Sequence, residues 1–140
     1  KKRGVQIVLP ADHLIVDAIE NPVRVETTSD QNIPDGMIAV DIGPKSIALF
    51  KSALQSAKTI CWNGPLGIFE MDPYAKGTRE IGIFITTTGA KTIIGGGDTA
   101  SAVAKFGLEE KMTHISTGGG ASLEYMEGKV LPGIAALQEK

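Results

Sequence analysis

Two glycine triplets, Gly95-Gly96-Gly97 and Gly118-Gly119-Gly120, recur 23 residues apart, each between an apolar run and a helical pattern. In a parallel α/β sheet every strand-to-helix loop lies at the carboxyl edge, where ligands bind. Glycine at that junction permits positive φ and lets a ligand approach the backbone without meeting a Cβ atom. The free N–H groups of the first helical turn then face the ligand, and the helix dipole favours negative charge. Two such loops on one edge make an anion site, phosphates fitting best; the alternative for each triplet is a simple tight turn. Asp98 follows the first triplet directly. As an N-cap it would accept from amides two or three residues on. Beside phosphates its carboxylate would need a divalent cation between them, and Mg²⁺ bridges carboxylates to phosphates in this way. Thr99 offers a hydroxyl to the same phosphates.

The loop Trp62-Asn63-Gly64-Pro65-Leu66-Gly67-Ile68-Phe69-Glu70 mixes polar handles with apolar surface, the combination a nucleoside pocket needs. Glu70 could accept from ribose hydroxyls, or stand as a solvated loop carboxylate. Gly95-x-Gly97-x-x-Ala100 also fits the dinucleotide fingerprint of nicotinamide and flavin oxidoreductases. That reading needs a carboxylate at the end of the next strand, where this chain has Ser116-Thr117-Gly118. A non-catalytic nucleotide-binding module is the third possibility. His114, inside a buried-type strand, reads as a satisfied core histidine, and His13 and Cys61 likewise read as packing residues. No Ser-His-Asp pattern and no His/Cys ligand spacing occurs, so hydrolase and zinc chemistry find no support.

The elements that must position these residues follow from hydrophobic periodicity. Residues 5–9 read as a strand ended by Pro10, with shorter extended candidates at 12–17 and 23–28. Pro34-Asp35-Gly36 is a turn, and residues 37–42 form a buried-type strand. Pro44 suits the first position of a helix, along which Ile47, Phe50, Leu54 and Ala57 make one apolar stripe. Residues 58–62 are the next strand. Asp72-Pro73 opens a further helix, although residues 81–88 are rich in β-branched side chains and weak as a helix. Residues 92–94 and 113–116 are strands, each followed by a glycine triplet and a helix, 98–106 and a second through Met126. Pro132-Gly133 leads to a short final segment, 134–140. Strands alternating with helices predict an α/β fold, a parallel sheet with helices on both faces. No linker or shift in composition divides residues 1–140, which read as a single unit.

The bulk composition fits one globular domain: 140 residues, 42% hydrophobic and 21% charged, with 14 basic against 16 acidic side chains and a net charge of -2. Such balance provides no basic field for nucleic acid or an anionic membrane. The apolar runs are too short to span a bilayer, the strongest being residues 81–85. A single cysteine suits a reducing compartment, and the charged start runs into strand-like sequence without a signal-peptide core. A cytoplasmic location is therefore expected. The 17 glycines, about 12% against an average of roughly 7%, are the one unusual figure.

With these motifs in order, the chain resembles phosphoglycerate kinase. The segments 62–70, 95–99 and 116–124 follow that family's sequence, as do Leu9-Pro10-Ala11-Asp12, Asp41-Ile42-Gly43-Pro44 and Leu131-Pro132-Gly133. The resemblance extends from about Val5 to Lys140. It implies reversible phosphoryl transfer between 1,3-bisphosphoglycerate and MgADP, giving 3-phosphoglycerate and ATP in glycolysis. It also implies two Rossmann-like domains closing about a hinge, in an enzyme monomeric at full length, with the nucleotide on the C-terminal domain. This chain corresponds to the later part of that domain and its tail, a partial domain.

Carried over by position, Glu70 would hold the ribose, with Gly43, Asn63 and Pro65 near the nucleoside. Gly96, Gly97, Asp98 and Thr99 would contact ATP or ADP phosphates and Mg²⁺. Gly118, Gly119 and Gly120 would present amides to the transferring phosphoryl group, and Ser116-Thr117 would lie near the hinge. The N-terminal domain that binds the phosphoglycerate is absent, as is an early glycine-and-lysine phosphate segment. Arg3, Arg24 and Arg79 match none of the family's substrate arginines. Residues 81–88 stand where the family has a regular helix. The 140 residues alone are thus expected to be inactive.

Overall fold

The structure is a computed structural model describing residues 4–137. The charged start, Arg3 included, and the last residues of the final segment lie outside the described residues. Strands β1 (His13–Val16), β2 (Val25–Thr27) and β3 (Ile38–Ile42) form an antiparallel sheet in the order β2-β1-β3. This sheet is an addition to the expected parallel one. Parallel strands need a crossover, usually helical, and among the described residues no helix precedes α1 (Pro44–Leu54). The register between β1 and β3 shifts between Leu14, opposite Asp41, and Ile15, opposite Ala39. Val40 is thereby the extra residue of a bulge; it is buried with Val16 and Tyr74. Its carbonyl accepts the Ile68 N–H at 2.9 Å, fastening the distant loop to this sheet.

Strands β4 (Thr59–Asn63), β5 (Lys91–Gly95) and β6 (His114–Ser116) form a parallel sheet in chain order. Ile60, Trp62 and Ile94 face helices α1, α2 (Lys76–Ile85) and α3 (Gly97–Lys105). They form the main core with Ile47, Ile81, Ile85 and Val103. The other face, with Ile93, His114 and Ser116, meets α4 (Gly119–Met126) and α5 (Pro132–Ala135). The expected α/β arrangement with helices on both faces therefore holds for this half. His114 and Cys61 project from the second face and are exposed. Their expected burial is wrong because α4 and α5 cover that face only in part.

Pro44 begins α1 as its composition predicts. The helix expected from Asp72 instead starts as a 3₁₀ turn, Asp72–Tyr74, and becomes α-helical only at Lys76. The weak helix expected over 81–88 is regular through Ile85. Burial of Ile81 and Ile85 to 5% and 1% exposure overrides the modest β-branched penalty. Thr86, Thr87 and Thr88 then donate their hydroxyls to the carbonyls of Ile83, Phe84 and Ile85, at a helix end where the Thr86 and Thr87 N–H groups also donate to Ile83 and Phe84. Residues 5–9 are not a strand: among the described residues no backbone hydrogen bond pairs them, and Val5, Ile7 and Leu9 are exposed. Alternating apolar residues show which face would be buried but supply no partner ladder.

Candidate functional site

The parallel register aligns Asn63, Gly95 and Ser116 in one row at the carboxyl ends of β4, β5 and β6. Both triplets leave the sheet at this rim. Gly95 closes β5 and Gly97 opens α3, so the first turn is one residue long. That residue, Gly96, has φ +93°, which side-chain-bearing residues rarely adopt. Its N–H donates to the Ser116 carbonyl at 3.0 Å. The second triplet needs no positive φ, contrary to the expected use of glycine there. Its constraint is proximity: a Cβ on Gly119 would lie 3.1 Å from the Gly96 Cα. The two loops touch.

The first-turn amides of α3 and of α4 lack intrahelical partners by construction, and both helices start on this rim. A Cβ on Gly97 or on Gly120 would meet nothing within 4 Å. Protein packing therefore does not require glycine at either place, which leaves room for a ligand. Asn63 lies between the triplets; its Nδ2 donates to the Gly119 carbonyl at 3.4 Å, and its Oδ1 would stand 3.3 Å from a Cβ on Gly96.

Asp98 is not the helix cap expected of it. Gly96 occupies the cap position and no side chain caps α3. Asp98 lies in the first turn and is exposed. Among the described residues no hydrogen bond or ion pair engages its carboxylate. Thr99, by contrast, is 1% exposed, and its Oγ1 accepts the Gly64 N–H at 2.7 Å. The hydroxyl expected to meet phosphates thus also ties the 63–70 loop to α3. Trp62 Nε1 donates to the Gly64 carbonyl at 2.7 Å, so Gly64 is held on both sides.

Three further residues shape the loop, none found by sequence reasoning. Leu66 N–H donates to Thr78 Oγ1 at 3.0 Å. Asp41, 4% exposed, accepts the amides of Ile42 at 2.8 Å and Gly77 at 2.7 Å. Burial lifts its carboxyl above the ordinary carboxylate range, against those amides. A Cβ on Gly67 would fall 2.5 Å from Asp41 Oδ1 and from the Tyr74 carbonyl, so that glycine belongs to packing. Lys105, in the last turn of α3, donates to the carbonyls of Phe69 and Glu70 at 3.0 Å each and pairs with Asp72 at 2.8 Å. Its signal was absent, because a lysine ending an amphipathic helix reads as a solvated dipole partner.

A family model described as phosphoglycerate kinase matches residues 1–129. The chain belongs to the phosphoglycerate kinase family. Phosphoglycerate kinase of Latilactobacillus sakei is 57% identical over 141 residues, covering 100% of this chain and 35% of the relative. That of Thermosipho africanus is 51% identical over 144 residues, covering 100% and 36%. The solved phosphoglycerate kinase of Coxiella burnetii superposes with TM-score 0.86 at 35% identity, over 96% of this chain and 35% of that one. That of Pyrococcus horikoshii gives 0.73 at 34%, over 92% and 32%. The chain thus spans about a third of the length of the curated phosphoglycerate kinases it matches.

Of the residues expected from the phosphoglycerate kinase motifs, Asn63, Gly96, Gly97, Asp98, Thr99, Gly118, Gly119 and Gly120 gather on the rim. Pro65 is half-buried in the loop beside Asp41 and Ile42. Glu70 is exposed at the loop's far end, by the C-terminus of α3. At about 1.5 Å rise per residue this is roughly 12 Å along the helix from Gly97. Gly43 is buried against the Asp12 carboxylate. Asp12 accepts the α1 amides of Lys45 at 3.0 Å and Ser46 at 2.7 Å and the Ser46 hydroxyl at 2.7 Å. Burial would raise its pKa, but these donors together hold it below the ordinary carboxylate value. Glycine at 43 thus serves the capping of α1.

Proposed function

We propose that this chain carries part of the Mg-nucleotide site of a phosphoglycerate kinase, a glycolytic, cytoplasmic phosphotransferase. The reaction is phosphoryl transfer between 1,3-bisphosphoglycerate and ADP, giving 3-phosphoglycerate and ATP. The observation that carries the reading is the contact between Gly96 and Gly119. It converges the first-turn amides of two helices on one rim, where a polyphosphate is the ligand those donors suit. Phosphoryl transfer asks a protein for alignment and for donors placed where charge develops, not for a covalent nucleophile. The amides of Gly97 and Gly120, residues with open space where a Cβ would stand, are such donors. Asn63 holds the two loops in register.

Asp98 would hold Mg²⁺. A single uncommitted carboxylate beside a phosphate site fits this ion, which takes one or two carboxylates, substrate phosphates and water. No cluster of three or more His, Cys, Asp or Glu exists among the described residues to bind a cation without phosphate. When bound, the ion neutralises phosphate charge and fixes its orientation. Glu70 takes the ribose hydroxyls at the far end of α3, and Pro65 and Leu66 lie on the nucleoside side of the loop.

The phosphoglycerate is bound elsewhere. Arg24 pairs with Glu26 at 2.9 Å, and Arg79 stacks 5.1 Å from the Phe106 ring, so both are engaged away from the rim. A nicotinamide enzyme is the weaker reading, since β6 ends in Ser116, whose Oγ meets Ser122 Oγ at 3.0 Å, and offers no ribose carboxylate. Titration of the full-length chain with MgADP and NADH tests the proposal. MgADP should bind and NADH should not; a preference for NADH refutes it. ATP formation from 1,3-bisphosphoglycerate by residues 1–140 alone, above a blank, would overturn the division of labour.

A further inference from the structure

Lys105 spends all three ammonium protons on one short stretch of chain. It donates to Phe69 O at 3.0 Å, to Glu70 O at 3.0 Å and to Asp72 Oδ1 at 2.8 Å. The two carbonyls belong to the peptide groups on either side of the Glu70 Cα. Holding both fixes the direction of the Glu70 Cα–Cβ bond, although the carboxylate itself is exposed. Phe69 beneath it is 6% exposed and packs with Ala75 and Ala102, so α3 also supports this segment from below. The same helix begins at Gly97 and carries Asp98. One rigid rod therefore bears the phosphate donors at its N-terminus and the clamp on the 69–72 segment at its C-terminus.

We infer that Lys105 is a positioning residue that acts through Glu70, aiming its carboxylate at the ribose hydroxyls at a set distance from the phosphate rim. The inference rests on the nucleotide reading above. Lys105 bonds to the 69–72 segment, so its effect passes through the two carbonyls and the Asp72 carboxylate.

The test compares MgADP with Mg-2′,3′-dideoxy-ADP by calorimetry on the full-length chain. In the wild type the ribose hydroxyls should favour ADP by about tenfold, the scale of one hydrogen bond to a charged acceptor. Lys105→Met should reduce that preference to under about twofold while leaving dideoxy-ADP affinity unchanged. Lys105→Arg, which retains a multi-donor cation, should restore part of it. In Glu70→Ala, adding Lys105→Met should cost nothing further. Equal weakening of both nucleotides by Lys105→Met would mark a merely structural role and overturn the inference, as would a full wild-type preference in that variant. A wild type that binds MgADP without any ribose preference would also overturn it, leaving the kinase reading intact. A wild type that binds neither nucleotide would overturn both.

Discussion

Thr99→Val isolates one tether of the nucleotide loop. Valine matches threonine in shape, so a site with 1% exposure stays filled. What is lost is the acceptor for the Gly64 N–H, now at 2.7 Å. A donor left without a partner costs about 1–3 kcal/mol. Gly64 is half-buried and water reaches it in part, so the lower end applies, about 1–1.5 kcal/mol. The Trp62 bond to the Gly64 carbonyl remains and limits the change to this peptide. Amide exchange in the nucleotide-free protein should show Gly64 protection falling about tenfold, with Thr99→Ser close to wild type. A variant whose Gly64 exchange and urea midpoint are unchanged, but whose MgADP affinity drops, would refute the tether. It would assign the hydroxyl to phosphate alone.

Other consequences are as direct. Gly97→Ala should leave stability unchanged or slightly raised, since its Cβ meets nothing and alanine favours helix, yet weaken nucleotide binding; unchanged binding would argue against a ligand there. Gly67→Ala, pressed against Asp41 and the Tyr74 carbonyl, should lower stability by about 1–3 kcal/mol in urea unfolding. Asp98→Asn should weaken MgADP binding about tenfold while sparing metal-free ADP, as expected of a lost charged contact; equal affinities would remove the metal role. For Asp12 the sign follows from a folded pKa below the unfolded one. Its stabilisation is complete above the ordinary carboxylate pKa of about 3.9 and is lost as pH falls through the folded value. Asp12→Asn should therefore lose less stability than wild type on acidification, measured by urea midpoints.

Local signals in the chain carried the parallel half of the fold well. The triplets, the Pro44 start and the strands around Ile60 and Ile94 are written in neighbouring residues, and the shared rim follows from parallel topology. Connectivity hid the antiparallel half: residues 13–42 show strand-like runs without helices, and only pairing distinguishes a hairpin from a crossover. Distance along the chain hid Lys105 and the tether from Thr99 to Gly64, whose partners lie 33 to 36 residues away. Asp41 and Asp12 did leave a trace, each a lone carboxylate at the border of an apolar run, but nothing local shows that backbone amides surround it. Asp98 was misread as a cap because the residue pattern places the helix start one or two positions late.

The bare row Val5, Ile7 and Leu9 has a practical sequel. It runs near β4, an outer strand of the parallel sheet, and Gln6 and Val8 share a hollow with Ile60 and Trp62. An unsatisfied ladder edge beside exposed apolar teeth is a template for adding another chain. A polypeptide of these 140 residues handled alone should self-associate as its concentration rises, and dilution or a capping β-strand peptide should keep it dispersed.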